Sequence, residues 1–584
     1  MSLIAQPSGG PYGPIHQTYT VPKNAAHVFY VAPGGRAENA GRTVDDPTSL
    51  EAAIASAVTD DVIVLRGGTY RTGGLVVNQG ITLQPYADER PVIKGTLVAT
   101  NWEGLRDNVW RTTWRKLFPQ KPADWWRRER EGMRTPLHKF NNDMVFFDGR
   151  FLQSSGWEGE LNSNNFSIDY DHTNVFLGQN PTNHVVEITA YDSALIRTTA
   201  DVHGKKSDGK GLTIRGITFT QYAYRALEIE GREPDRLADA STFGKDVAGS
   251  TFENMTISYC SRVAGYFRGD HMVFRNCRIS DTSTEGIYII ASSDCLLERN
   301  IFARNNIEHI TGYFPSAVKI FNQTRRVVCR DNVVIDQPES NGIWYDVGNH
   351  DGVFVNNWVE GCQDGFFYEI SRNVICAGNV FVNCSDAGVR ILNSAGARVY
   401  HNTFVDATAS FERTERSAVG DHFGWHPSTG PGVEERDGHE FVGNLLTATE
   451  GFTNRLLRFD QAQVLCGKLT HPQVAKLDEN VYVRAGDPAA QKLMLWSPVA
   501  QGTNCVANYK TLEEFRKVRP EFETHGVDLS DYYGSPFDGP SVKNFALNPE
   551  FKPVETSPLP SEIQKLLNWS RRSGELPGAY PGKR

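Results

Sequence analysis

Asp346 and Glu369 close two runs of the same form, GIWYD from Gly342 and GFFYE from Gly365, and lie 23 residues apart. If each run is a β-strand and 23 residues make one turn of a coil, the two carboxylates sit side by side on adjacent parallel strands, with Cα atoms about 4.8 Å apart. Their carboxyl groups then fall near the roughly 5–5.5 Å separation used in retaining hydrolysis of a glycosidic bond, where one acts as nucleophile and the other as general acid/base. At that distance they do not ionise independently, so one is expected to hold a proton while the other stays charged. The competing readings are two solvated surface carboxylates, or a pair of ligands for Ca²⁺. Against both, like charges stacked on neighbouring strands cost stability, and each acid follows bulky aromatic residues.

Three further runs share the pattern: GIYII from Gly286, AVKIF from Ala317 and GVRIL from Gly388. Alternation turns Ile287, Val318, Ile343, Phe366 and Val389 inward, together with Ile289, Ile320, Tyr345, Tyr368 and Ile391. The intervening residues form two outward columns. One holds Tyr288, Lys319, Trp344, Phe367 and Arg390; the other holds Ile290, Phe321, Asp346, Glu369 and Leu392. Exposed aromatic faces beside cations suit a sugar ring, which offers C–H groups to an aromatic plane and hydroxyls to charged neighbours. Tyr288, Lys319, Trp344, Phe367 and Arg390 are therefore candidate substrate-binding residues.

A longer repeat carries these strands. The phrases FENMTI, FRNCRI, ERNIFA, RDNVVI, NNWVEG, AGNVFV, HNTFVD and GNLLTA place asparagines at 254, 276, 300, 332, 357, 379, 402 and 444. Five of the seven successive spacings are 22–25 residues, and the other two read as the same unit with an insertion. Each unit contains short β-runs and turns without helical periodicity, and no single unit can bury its own apolar face. Stacked coils follow, giving a parallel β-helix in which the recurring asparagine forms an internal ladder rather than a reactive group. Insertions in such folds gather on the functional face. The stretches IEHITGYFP and ERTERSAVGDHFGWHP bring His309, Tyr313, His422, Trp425 and His426 as candidate walls of a cleft, and FPQKPADWWRRERE brings Trp125 and Trp126 as a wall or a subunit contact. His422 and His426 lack a helical setting and a third ligand, so zinc is not expected.

The text HVFYVAPGGRAENAGRTVDDPTSLEAAIASAVTDDVIVLRGGTY, followed by GITLQPYADERPVIKG, resembles the opening of right-handed parallel β-helix proteins of the pectate-lyase-like superfamily. The resemblance implies an all-β solenoid with an N-terminal capping helix, and Thr48-x-x-Glu51 reads as the capping box that starts it. MVFFDGRFLQ and FSIDYDHTNVFLGQ resemble the small β module inserted between early coils of such proteins, and the segment from DENVYV to FALNPEF resembles their closing part. The expected division is 1–143 for the cap and first coils, 144–196 for the inserted module, 197–450 for the central coils carrying the site, and 451–584 for the closing segment. Asp in GIWYD followed one coil later by Glu in FFYEI is similar to the pair in β-helix glycoside hydrolases of the β-xylosidase type. That likeness implies Asp346 as nucleophile and Glu369 as acid/base.

Composition limits the alternatives. The chain has 584 residues with a formal net charge of -9, which disfavours nucleic-acid binding. No apolar stretch reaches the roughly 18–20 residues of a membrane span, and the opening MSLIAQPSGG lacks the character of a secretory signal, so a soluble chain is expected with its compartment left open. The nine cysteines read as mostly buried free thiols. A carbohydrate substrate and no organic cofactor are expected, and oligomerisation stays open. The rivals to the hydrolase are a polysaccharide lyase, with Lys319 or Arg390 as base and Ca²⁺ held by the two acids, and a non-catalytic glycan-binding β-helix.

Overall fold

The computed structural model describes residues 9–119, 135–233, 241, 243–311, 315–415, 435–485, 492–499, 504–530, 532, 534–551, 555–569 and 576–580. Three sheets of thirteen strands each run along the molecule, and successive coils add one strand to each. In one coil the strands are Val328–Arg330, Val333–Ile335 and Asn341–Asp346. Each pairs in parallel with its counterpart one coil on: His350–Val355, Trp358–Glu360 and Asp364–Glu369. The inward residues of all three sheets merge into one apolar core reaching from Phe29 to Phe522. The expected parallel β-helix is what the chain forms. Among the described residues, no helix is long and apolar enough to cross a membrane.

The asparagine ladder is present, with a corrected membership. Asn300, Asn332, Asn357, Asn379, Asn402, Asn444 and Asn480 are fully buried, and each side-chain Nδ2 donates to the next Oδ1 at 2.9–3.0 Å. Asn254 and Asn276 stand one residue earlier in their turns, at φ +50° and +51°. The ladder position there belongs to Met255 and Cys277, and the Cys277 backbone N–H donates to Asn300 Oδ1 at 2.9 Å. The left-handed turn position also accepts asparagine, as at Asn356 beside Asn357, so identity alone merged two adjacent sites. Facing outward, Asn276 donates to the carbonyls of Pro11 and Gly13, and Asn254 Oδ1 accepts from the Ile15 N–H.

The ladder ends on a buried acid. Asn480 Nδ2 and the Tyr482 hydroxyl donate to Glu523 Oε1 at 2.8 and 2.6 Å. Burial pushes the Glu523 carboxyl up from 4.5 to about 7. Between those two values the folded chain keeps a proton that the unfolded chain has released, so stability falls as pH rises through this window. The shift corresponds to a cost on the order of 3 kcal/mol once Glu523 is charged. Glu523→Gln is therefore expected to narrow the difference in melting temperature between pH 5 and pH 8, which thermal denaturation at the two pH values checks.

At the other end, the helix Leu50–Ser56 buries Leu50, Ala53 and Ile54 against the first coils. Its N-cap is Ser49, whose Oγ accepts from the Ala52 N–H, and not Thr48, whose hydroxyl donates to the Arg36 carbonyl. The inserted module consists of a four-stranded and a five-stranded sheet. It starts earlier than position 144: Thr96–Val98 and Trp110–Thr113 pair with its later strands, and Glu103–Gly104 pairs with Trp110–Thr113. Ser193–Arg197, placed in the module by sequence, instead pairs in parallel with Leu75–Val77 and Arg225–Ile229 of the solenoid. Of the nine cysteines, Cys466 and Cys505 form a disulfide and the other seven are buried thiols.

Candidate active site

The five runs form adjacent strands of one long sheet: Glu285–Ile290, Ser316–Phe321, Asn341–Asp346, Asp364–Glu369 and Ala387–Leu392. Their register is the expected one. Lys319 pairs with Trp344, Trp344 with Phe367, and Phe367 with Arg390, while Asp346 pairs with Glu369. The inward residues are 0–1% exposed, from Ile287 to Val389 and from Ile289 to Ile391. Glycine precedes several of these inward residues because coils approach closely there: a Cβ on Gly342 would lie 2.2 Å from the Gly365 carbonyl oxygen.

The outward columns differ from expectation in one respect, because they are largely covered. Asp346 and Glu369 are 2% and 1% exposed, and Trp344 and Phe367 are also buried. The aromatic faces are taken up within the column itself. Trp344 and Phe367 stack with centroids 4.9 Å apart, Lys319 Nζ lies 3.7 Å from the Trp344 ring centroid, and the Arg390 guanidinium lies 5.0 Å from that of Phe367. Trp344 and Phe367 are thus the middle of a cation–aromatic–aromatic–cation stack, not open platforms. Tyr288 packs with Ile290 beneath Phe243, and its hydroxyl donates to Glu285 at 2.7 Å.

The stack places one cation on either side of the acid pair. Lys319 Nζ sits 3.1 Å from Asp346 Oδ2, whereas Asp346 Oδ1 is buried without a hydrogen-bond partner among the described residues. Arg390 bonds Asp364 and Glu412, each at 3.1 Å, and also feels the charge of Glu369. Removing one partner of a buried ion pair leaves an uncompensated charge. Lys319→Met is therefore expected to destabilise the chain by on the order of 3 kcal/mol, read as a lower midpoint in denaturant unfolding.

The turn after each strand is left-handed in all five coils, at Ala291, Asn322, Val347, Ile370 and Asn393. Asparagine tolerates this backbone; β-branched residues do not. Val347 (φ +58°) follows Asp346 and Ile370 (φ +46°) follows Glu369, so strain falls on the two coils that carry the acids. A polar run braces these turns. Thr324 donates to Asn349, Asn349 Nδ2 donates to Ser371 Oγ, and the Ser371 N–H donates to Ser394 Oγ, all within 3.2 Å.

Of the proposed walls, His309 is exposed and bonds Glu339 of the next coil at 2.6 Å. Its neighbour Glu308 is buried and pairs with Lys139 at 3.1 Å, which ties this loop to the segment between Trp110–Thr113 and the later strands of the inserted module. Tyr313, His422, Trp425, His426, Trp125 and Trp126 lie outside the described residues. No group of three or more His, Cys, Asp or Glu side chains able to hold a metal occurs among the described residues.

Sequence reasoning missed Asp364. Strict alternation turns it inward, yet at the strand's first position it bonds Arg390 on the outer face. Burial pushes its carboxyl up to about 7. The two columns also continue for two more coils, through Ser410 and Arg458 in one and Glu412 and Asp460 in the other. Extending the register to ASFER and LRFDQ would have found them.

The model of the "Right handed beta helix region" family matches residues 206–348 and 244–404. That match supplies the handedness. The chain is a right-handed parallel β-helix. Among solved structures, XylC in complex with xylose is similar at a TM-score of 0.56 and 14% identity, covering 79% of this chain and 86% of that one. The lacto-N-biosidase of Eubacterium ramulus gives 0.40 and 11%, covering 80% and 66%, and the pectate lyase Pel9A gives 0.38 and 13%, covering 96% and 97%. At 14% identity the likeness to XylC is one of fold. No curated protein matches the chain.

Proposed function

We propose that this β-helix is a retaining glycoside hydrolase in which Asp346 is the nucleophile and Glu369 the general acid/base. The observation that carries this reading is the direct pairing of Asp346 with Glu369 on adjacent strands, both buried on the outer face of the coil stack. That spacing suits double displacement. Asp346 Oδ1 attacks the anomeric carbon while Glu369 protonates the departing oxygen; Glu369 then takes a proton from the water that releases the sugar from Asp346. Lys319 bonds the other oxygen of Asp346, which orients the attacking one.

The test is turnover of a panel of aryl glycosides, xylosides included, and of neutral and uronate oligosaccharides, with product anomers followed by NMR and ultraviolet absorbance recorded in parallel. Release of the sugar with retained configuration is expected. An unsaturated, ultraviolet-absorbing product would point to β-elimination, and inverted product would rule out a covalent intermediate on Asp346.

A further inference from the structure

Immediately C-terminal to the acid pair, a cavity of about 240 Å³ opens among Asp364, Ser385, Asp386, Arg390, Glu412 and Arg458. It is smaller than the roughly 300–1,000 Å³ of drug-sized ligand sites and fits a single sugar residue. It adjoins the proposed centre: Asp364 shares a strand with Glu369, and Glu412 stands in the same column two strands on, about 10 Å away at the usual spacing.

The cavity is built and polar. Asp364 is 1% exposed, with Oδ2 on Arg390 and Oδ1 buried without a partner among the described residues. Arg390 and Arg458 each keep a buried Nε in the same condition. A carboxylate oxygen that accepts, set beside guanidinium N–H groups that donate, matches adjacent sugar hydroxyls, each of which both donates and accepts. The charge is balanced: three guanidinium groups, with Arg455, face three carboxyl groups. Arg390 is already paired with Asp364 and Glu412, and Arg458 with Asp460 at 3.0 Å. A sugar carboxylate would gain no net attraction from this balanced set and would compete with Asp364, Glu412 and Asp460 for the guanidinium groups they already hold, whereas a neutral hydroxyl pair would not.

We propose that this cavity is a subsite for one neutral glycosyl residue, gripped through a pair of adjacent hydroxyls by Asp364 and the flanking arginines, and that it rejects uronates. The inference rests on the hydrolase reading only for the residue's place beside the scissile bond. Binding is therefore tested without turnover. The full-length protein is titrated by NMR with D-glucose, D-galactose and D-xylose, and with D-glucuronate and D-galacturonate. At least one neutral sugar is expected to bind at least tenfold more tightly than the uronates, and Asp364→Asn is expected to weaken it at least tenfold. Ser385→Trp, a change at an exposed rim position that spares every charged group, fills the mouth of the cavity and is expected to abolish binding; it carries the test if the Asp364 variant does not fold. The proposal is overturned if uronates bind as well as neutral sugars, if Ser385→Trp leaves binding unchanged, or if no sugar binds at 100-fold excess over protein. Neutral-sugar binding without hydrolysis would defeat the catalytic reading alone, and retaining hydrolysis restricted to uronosides would defeat this inference alone.

Discussion

Asp346→Asn is expected to lower kcat on any hydrolysed glycoside by on the order of 10⁴-fold or more, because an amide cannot form the glycosyl–enzyme ester on which both steps depend. The substitution is nearly isosteric at a buried position whose ion-pair partner is Lys319. Loss of that ion pair costs stability, so melting curves belong beside the kinetics. A smaller variant, Asp346→Ala, opens room for azide. In that variant, activity restored by azide, with a glycosyl azide of inverted configuration as product, is the expected signature of a missing nucleophile. Restoration with retained configuration would transfer that role to another side chain.

Glu369→Gln is expected to show a different dependence. Loss of general acid catalysis typically costs about 10²–10⁴-fold. The larger figure is expected for natural glycosides, whose leaving groups need a proton, and the smaller for aryl glycosides with acidic phenol leaving groups. Comparing kcat/KM across a series of leaving groups checks this: the slope against leaving-group acidity should steepen in the variant. An equal loss across the series would remove Glu369 from the acid/base role. Because Glu369 pairs with Asp346, effects of the double variant are not expected to add.

Much of this arrangement is legible in the sequence because alternation in a strand is strict. Once GIWYD and GFFYE are set in register, the inward set from Ile287 to Ile391 and the outward neighbours Asp346 and Glu369 follow, and the structure pairs them so. Burial of the outward face is not legible in the same way. A column of aromatics and cations reads as an open platform until the stack of Lys319, Trp344, Phe367 and Arg390 shows that the rings occupy one another's faces. Asp364 escapes because alternation fails at the first residue of a strand, where the chain is still leaving a turn. Asn254 and Asn276 mislead for a related reason: two neighbouring turn positions both favour asparagine, and only the hydrogen bonds separate them. The Cys466–Cys505 disulfide joins residues 39 apart in the closing segment, where no repeat constrains the alignment.

Strain adds a physical argument for the pair. The turn that follows each site strand accepts asparagine in the coils of Phe321 and Leu392, yet carries Val347 and Ile370 in the two coils that hold the acids. β-Branched residues at this left-handed position, carried by these two of the five coils, fit a fold that gives up some stability to fix two carboxylates side by side.

The most direct measurement is capture of the covalent intermediate. The protein is incubated with the 2-deoxy-2-fluoro derivative of whichever glycoside it turns over, digested, and mapped by mass spectrometry. One added fluoroglycosyl group is expected, carried by Asp346 and absent from Asp346→Asn. A label on another side chain, or time-dependent turnover of the substrate with no label on any, would contradict it.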